Sequence, residues 1–335
     1  MILGLQGLVR ARWWQACDGL PQTGSLAGLV AVITAGGAGA VMPLPLVVAA
    51  LGAMPALEGS TPDRQTAPAA ELIPVTEPVS VPVVRDLLVR LGSLVTRSRP
   101  GRPDERAGLA HPLLVNLFDP PTGTPAAGLP GEGARAGGAL AGVVEDLPVQ
   151  AAHAALAALI DDQVTGRPRV PVVSGLAGAV RDYAEHAGPV HHLRLADVTG
   201  AVKVLNWLDG PRPGQNRDRW ATWLPAITAL AGPDHPATLT TRHNLASWRG
   251  EAGDPAGAAA GFGDLLPEML RVLGPDHPAT LTTRHNLALW RGEAGAPAGA
   301  AAGFADLLPE SLRVLGPDHP DTLTTRHNLA YWRGQ

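Results

Sequence analysis

The chain has 335 residues, a net charge of −4 at neutral pH and one cysteine, Cys17. The length allows two domains, the mild acidity gives no global pull toward nucleic acid, and a lone cysteine excludes a disulfide framework and a cysteine metal cluster. Lys203 is the only lysine; it follows Gly200 in a stretch that fits neither the Gly-x-x-x-x-Gly-Lys-Ser/Thr phosphate loop nor a kinase site, and Gly-x-Ser-x-Gly and His-Glu-x-x-His are absent too. The sequence therefore assigns no catalytic residue, no metal and no cofactor, and the chain reads as a non-enzyme. With 40 Gly and 33 Pro it falls short of a low-complexity chain.

In chain order, residues 1–58 come first as an apolar segment. Arg10, Arg12, Trp13, Trp14 and Asp18 precede 39 residues, 19–57, without a charge. Residues 26–42 and 44–57 are apolar runs separated by Pro43. A membrane helix needs about 20 apolar residues. Three readings stand side by side: a membrane anchor or hairpin, a secretory signal, and a buried or poorly ordered Ala/Gly-rich segment. In the hairpin reading Arg10, Arg12 and the arginines from Arg85 to Arg106 lie on the cytoplasmic side.

Residues 59–108 read as a Pro-rich linker with one short amphipathic helix over 83–97. Its apolar face is Val84, Leu87, Leu88, Leu91, Leu94 and Val95, with Arg85, Arg90 and Arg97 off that face. Docking on the protein's own core is set against lying on an anionic membrane. Residues 98–105 read as a charged Pro/Gly connection. Residues 109–190 read as a helical region of unknown fold, with an apolar run over 109–118, helices over 140–160, broken near Pro148, and over 176–186, and a strand over 170–173; no alternation argues a sheet.

Residues 191–335 are organised by a repeat. The phrase GPDHPATLTTRHNLA begins at Gly232 and Gly274, and with Asp in place of Ala at Gly316, so the period is 42. A fixed period in this range signals stacked helical units. Units 232–273 and 274–315 differ at Ser247/Leu289, Asp254/Ala296, Gly263/Ala305 and Met269/Ser311 only. Each unit reads as a helix A over 236–249, capped by Asp234 or His235 and stopped by Gly250 and the 253–255 turn, and a helix B over 256–273 interrupted at Pro267. Residues 191–231 read as a degenerate first unit with helix A over 196–208, and 316–335 as a partial last one. With no further helix after Gln335, that end is expected to be covered by a partner, truncated or self-associated.

The spacing of His-Pro, Asn-Leu-Ala, Gly253, Ala258 and Phe262 resembles tetratricopeptide repeats of the kinesin-light-chain type, and the phrase resembles arrays in actinobacterial proteins, often behind a signalling NTPase. The resemblance implies an all-α, tetratricopeptide-type α-solenoid, preceded here by a mostly helical, partly disordered N-terminal region. It also implies binding of a peptide or protein segment in a groove lined by the A helices. The chain departs from the family at Arg242 and Arg249, where large apolar residues are usual.

By the resemblance, the stripe at steps of 3 and 4 on helix A faces the groove: Thr240, His243 and Ser247, then Thr282, His285 and Leu289, then Thr324, His327 and Tyr331. Family members commonly carry asparagine at the histidine position. Within the stripe only the last position varies, Ser to Leu to Tyr, which suits either ligand reading or drift. Arg242, Arg249, Arg284, Arg291, Arg326 and Arg333 are candidates for contacts to acidic or phosphorylated segments, weighed against packing of their stems. His235 reads as a cap, Asn244 as a hydrogen bond to the neighbouring loop, and His186, His191, His192 and Asp197 as structural.

The reading is a non-catalytic interaction module. Its alternatives are a sensor or remnant of a signalling NTPase-type protein lacking its P-loop, and a membrane-tethered scaffold. The expected partner is a protein or peptide rather than nucleic acid, with membrane contact through 26–57 and self-association through the last repeat as further candidates. The expected location is cytoplasmic, or membrane-anchored with cytoplasmic repeats.

Overall fold

A computed structural model describes residues 2–18, 24–37, 41–58, 79–110, 114, 147–167, 175–189, 192 and 197–335. The chain divides into two compact units, 1–196 and 197–335. The strand expected over 170–173, His191 and the 109–118 run apart from 109, 110 and 114 lie outside the described residues.

In the first unit, α1 (Ile2–Cys17) buries Val9, Trp13 and Ala16, at helical spacing. Helices α2 (Gly24–Ala35) and α3 (Leu44–Glu58) are apolar nearly all round, and most of their side chains are buried. Both pack against α5 (Val149–Thr165). At 12 and 15 residues, they reach only about 18 and 22 Å at 1.5 Å per residue, short of a ~30 Å hydrocarbon layer. No described helix is long and apolar enough to cross a membrane.

Helix α4 (Val81–Leu91) buries Val84, Leu87, Leu88 and Leu91, and Leu94 and Val95 complete the face expected of it. It stops earlier than the spacing predicts, because Gly92 takes φ +52°, a left-handed value that glycine tolerates. A single 3₁₀ turn (Gly92–Leu94) leads into β2 (Val95–Ser98). Residues 98–105, expected as a linker, are the connection to β3 (Arg106–Leu109). With β1 (Met42–Pro43) these make an antiparallel sheet of order β1-β3-β2, pairing Met42 with Ala107 and Val95 with Leu109. Glu105, at the start of β3, is fully buried; Arg85 Nε donates to it at 2.7 Å, Arg97 Nε at 2.8 Å and the Gly101 N–H at 2.8 Å. Helix α6 (Leu176–His186) closes the unit, and its Tyr183 hydroxyl donates to the Gly36 carbonyl at 3.3 Å.

The second unit is a row of helix pairs. Helix α7 (Val198–Leu208), capped by Asp197, and α8 (Pro213–Ala231) form the degenerate pair. Helices α9 (Pro236–Glu251) and α10 (Pro255–Val272), then α11 (Pro278–Glu293) and α12 (Pro297–Val314), form the two full units, and α13 (Pro320–Arg333) begins the third. Each helix from α8 onward packs on the next. His235, His277 and His319 cap the A helices: each Nδ1 accepts from the backbone N–H two residues on, at 3.1–3.2 Å. Pro225, Pro267 and Pro309 lie at exposed positions inside continuous helices, so helix B is not interrupted at Pro267 as the sequence suggests.

Gly250 does not stop helix A. The helix runs on to Glu251, and Gly250 is buried inside it. A Cβ there would stand 2.5 Å from the Trp290 ring of the next unit, and one on Gly292 would stand 2.5 Å from Trp332. The turn is made by Gly253, at φ +93°. Within a unit, helices A and B approach at Gly261, whose Cβ would lie 3.1 Å from Ala246, and at Gly303 against Ala288.

Candidate functional site

The A-helix stripe divides in the structure. Thr240, Thr282 and Thr324 are exposed, and Tyr331 is exposed with its ring edge-on to Trp332. Ser247 is half-buried. Leu289 is half-buried against Ala288, Ala300, Phe304, Leu329 and Trp332, so it contributes to the core between units.

His243 and His285 are held between units. Each ring stands edge-on to the aromatic ring of its own helix B, Phe262 or Phe304, at 5.0 Å between centroids. Asn286 Nδ2 donates to His243 Nε2 at 3.2 Å, and Asn328 Nδ2 donates to His285 Nε2 at 3.2 Å. Each Nδ1 then carries the proton and donates to the Oγ1 of Thr283 (3.3 Å) or Thr325 (3.4 Å). Those hydroxyls in turn donate to the backbone carbonyl of Ala279 or Asp321, at 2.8 Å. Burial holds both imidazoles below their ordinary pKa, and at His285 the Asp321 carboxylate pulls the other way. In the degenerate unit the corresponding contact runs from Asn244 Nδ2 to Asn206 Oδ1 at 3.0 Å. Asn244 therefore meets helix α7 rather than the neighbouring loop. His327 is exposed.

Two cavities open between successive A helices. One, of about 380 Å³, is lined by Pro236, Leu239, Thr240, His243, Met269, Leu273, His277, Ala279 and Thr282. The other, of about 100 Å³, is lined by Leu281, Thr282, His285, Leu307, Ser311, Leu315, Asp321, Thr324 and Thr325. Five of the stripe positions thus line cavities: Thr240, His243, Thr282, His285 and Thr324.

The arginines do not act alike. Arg242 and Arg284 pair with Glu268 and Glu310 on helix B of their own units. Arg249 is half-buried, and Arg291, Arg326 and Arg333 are exposed. His192 is buried with Nε2 on the Ala184 carbonyl, and His186 Nδ1 meets the Asp182 carbonyl. No group of three His, Cys, Asp or Glu residues able to hold a metal occurs among the described residues.

Several contributors escaped the sequence reading. Asp209 accepts from both Trp220 Nε1 (3.0 Å) and Trp248 Nε1 (3.2 Å), and its desolvation raises its pKa, while both indoles and Arg219 oppose the rise. Ser311 and Asp321 join one cavity. The signal for them was present: Asp321 replaces the Ala237 and Ala279 of the other copies.

The fold of residues 197–335 is thus an α-solenoid of helix pairs joined by an inter-unit hydrogen-bond ladder. Within it, residues 280–321 match the family model of the tetratricopeptide repeat. Such repeats serve as protein-interaction modules. Two crystal structures, one a point variant, of a Podosopora anserina protein described as a kinesin light chain with nearly identical TPR-like repeats are similar to this chain at 20% identity. They cover 55% and 57% of it and 77% and 79% of their own chains, each with a TM-score of 0.31. No curated protein matches the sequence.

Proposed function

We propose that residues 197–335 bind a peptide or protein segment along the A helices, without catalysis. The observation that supports this best is the pair of cavities one period apart, each bordered by an exposed threonine on both flanking A helices. A repeated cavity suits a ligand that is itself linear. Preformed apolar hollows with a few polar groups are the usual form of such sites, and a rigid solenoid lowers the ordering cost of binding.

The test is selection of peptides from a random display library on the full chain. Selected peptides should bind the wild type and lose binding to Thr240→Arg and Thr282→Arg, which fill the cavity mouths from exposed positions and leave the helical circular dichroism unchanged. Selected peptides that bind both variants as tightly as the wild type would place the binding surface elsewhere.

A further inference from the structure

From the differences between the two cavities we infer that the groove recognises an extended segment with one apolar side chain and, about three residues away, one lysine or arginine. This rests on the groove reading above and narrows its ligand class. The cavities are one site repeated: Leu239, Thr240 and His243 recur at the period as Leu281, Thr282 and His285. In units this alike, the positions that change inside the site are informative. Met269 of the first cavity becomes Ser311 in the second, and Ala279 becomes Asp321.

Both changes act in one direction. The first cavity is about 380 Å³, has no carboxylate or guanidinium on its wall and is backed by the apolar group of Leu239, Leu265 and Met269. It fits a large apolar side chain. The second is about 100 Å³ and carries Ser311, Thr324 and the Asp321 carboxylate. It fits the slender end of a basic side chain.

The Asp321 side chain is 69% exposed, and its neighbour His319 uses Nδ1 to accept the Asp321 backbone N–H at 3.2 Å. That nitrogen therefore offers the carboxylate no proton. None of the other residues lining this cavity is a lysine or arginine. A carboxylate so placed favours a cation and repels an anion. Successive A helices touch through His243, Thr283 and Asn286, and helices in contact stand about 8–10 Å apart, which about three residues of extended chain span.

The experiment is fluorescence anisotropy on the full chain with labelled peptides carrying Leu and Arg three residues apart, in both orders, beside versions with Glu for Arg and Ser for Leu. The Arg peptide in one order should bind about fivefold tighter than its Glu counterpart, as expected for an exposed ion pair. Asp321→Asn should abolish that preference and Asp321→Lys should invert it. The Ser version should bind about tenfold more weakly, the effect of losing a buried aliphatic side chain. Equal binding of Arg and Glu peptides, or a preference surviving Asp321→Lys, overturns the inference; display-selected peptides that still bind and still fail on Thr282→Arg would then leave the groove reading standing. If neither designed nor selected peptides bind, both fall.

Discussion

The side-chain amide of Asn286 donates to His243 Nε2 across the boundary between two repeats, and Asn328 repeats the contact on His285 one period later. This contact fixes the imidazoles in the neutral form with the proton on Nδ1, because an amide N–H cannot donate to a protonated Nε2. Together with the histidine contacts to Thr283 and Thr325, it couples neighbouring units through a polar link.

The link should make the repeats acid-sensitive. Burial lowers the folded pKa of both histidines below the ordinary value of 6.5. The unfolded chain then binds more protons as the pH falls, so this contribution is complete above about pH 6.5 and is lost toward the lower folded values. Urea unfolding followed from pH 7.5 to 5.5 should show that loss. A double variant, His243→Gln with His285→Gln, should flatten the dependence; an unchanged slope would assign it to other groups. Asn286→Leu should cost about 1 kcal/mol at pH 7.5.

Gly250 and Gly292 should be intolerant of a methyl group. An added Cβ meets an indole at 2.5 Å in both cases, and overpacking of this kind costs about 1–3 kcal/mol, against a gain of up to ~1 kcal/mol in helix propensity. Gly292→Ala should therefore lower the melting temperature, and combining it with Trp332→Leu should recover part of that loss. If Gly292→Ala stabilises the protein, the indole contact is not what requires glycine.

The two full repeats differ at one cap. Asp254 Oδ1 accepts from the Gly257 N–H at 2.8 Å, whereas Ala296 offers helix α12 no side-chain acceptor. Ala296→Asp should add about 1 kcal/mol and Asp254→Ala should remove a similar amount. Denaturant midpoints at unchanged slope would measure both.

Among the described carboxylates of the first unit, Glu105 should be the most sensitive to acid and to removal. Burial pushes its pKa up, but the hydrogen bonds from Arg97, the Gly101 N–H and Arg85 outweigh this and leave it below the ordinary value. Its stabilisation is present above the unfolded carboxylate range and is lost as the pH falls through the folded value. The arginines are 31% and 20% exposed and regain some water when Glu105 is removed, so the cost of Glu105→Ala is set at about 2–4 kcal/mol rather than the full penalty of a buried pair. Thermal unfolding at pH 7 should show it, and Arg85→Ala alone should cost less.

The sequence by itself determined the 42-residue period, the paired helices, the histidine and proline at each A-helix start and the buried face of α4, because each is written in contacts or conformations spanning a few residues. It did not disclose that Gly250 is a seat for Trp290, that His243 is engaged by Thr283 and Asn286, or that Met269 and Ala279 share one cavity. Those partners lie 40 and 43 residues apart for the histidine, and a helical period identifies a face without naming what the face meets. The small sheet was hidden for a related reason: strands of two and four residues are too short to show alternation. Only the tertiary structure decided that two helices of the apolar segment, α2 and α3, both pack against α5, because hydrophobicity says that a face is buried and long-range packing says what covers it.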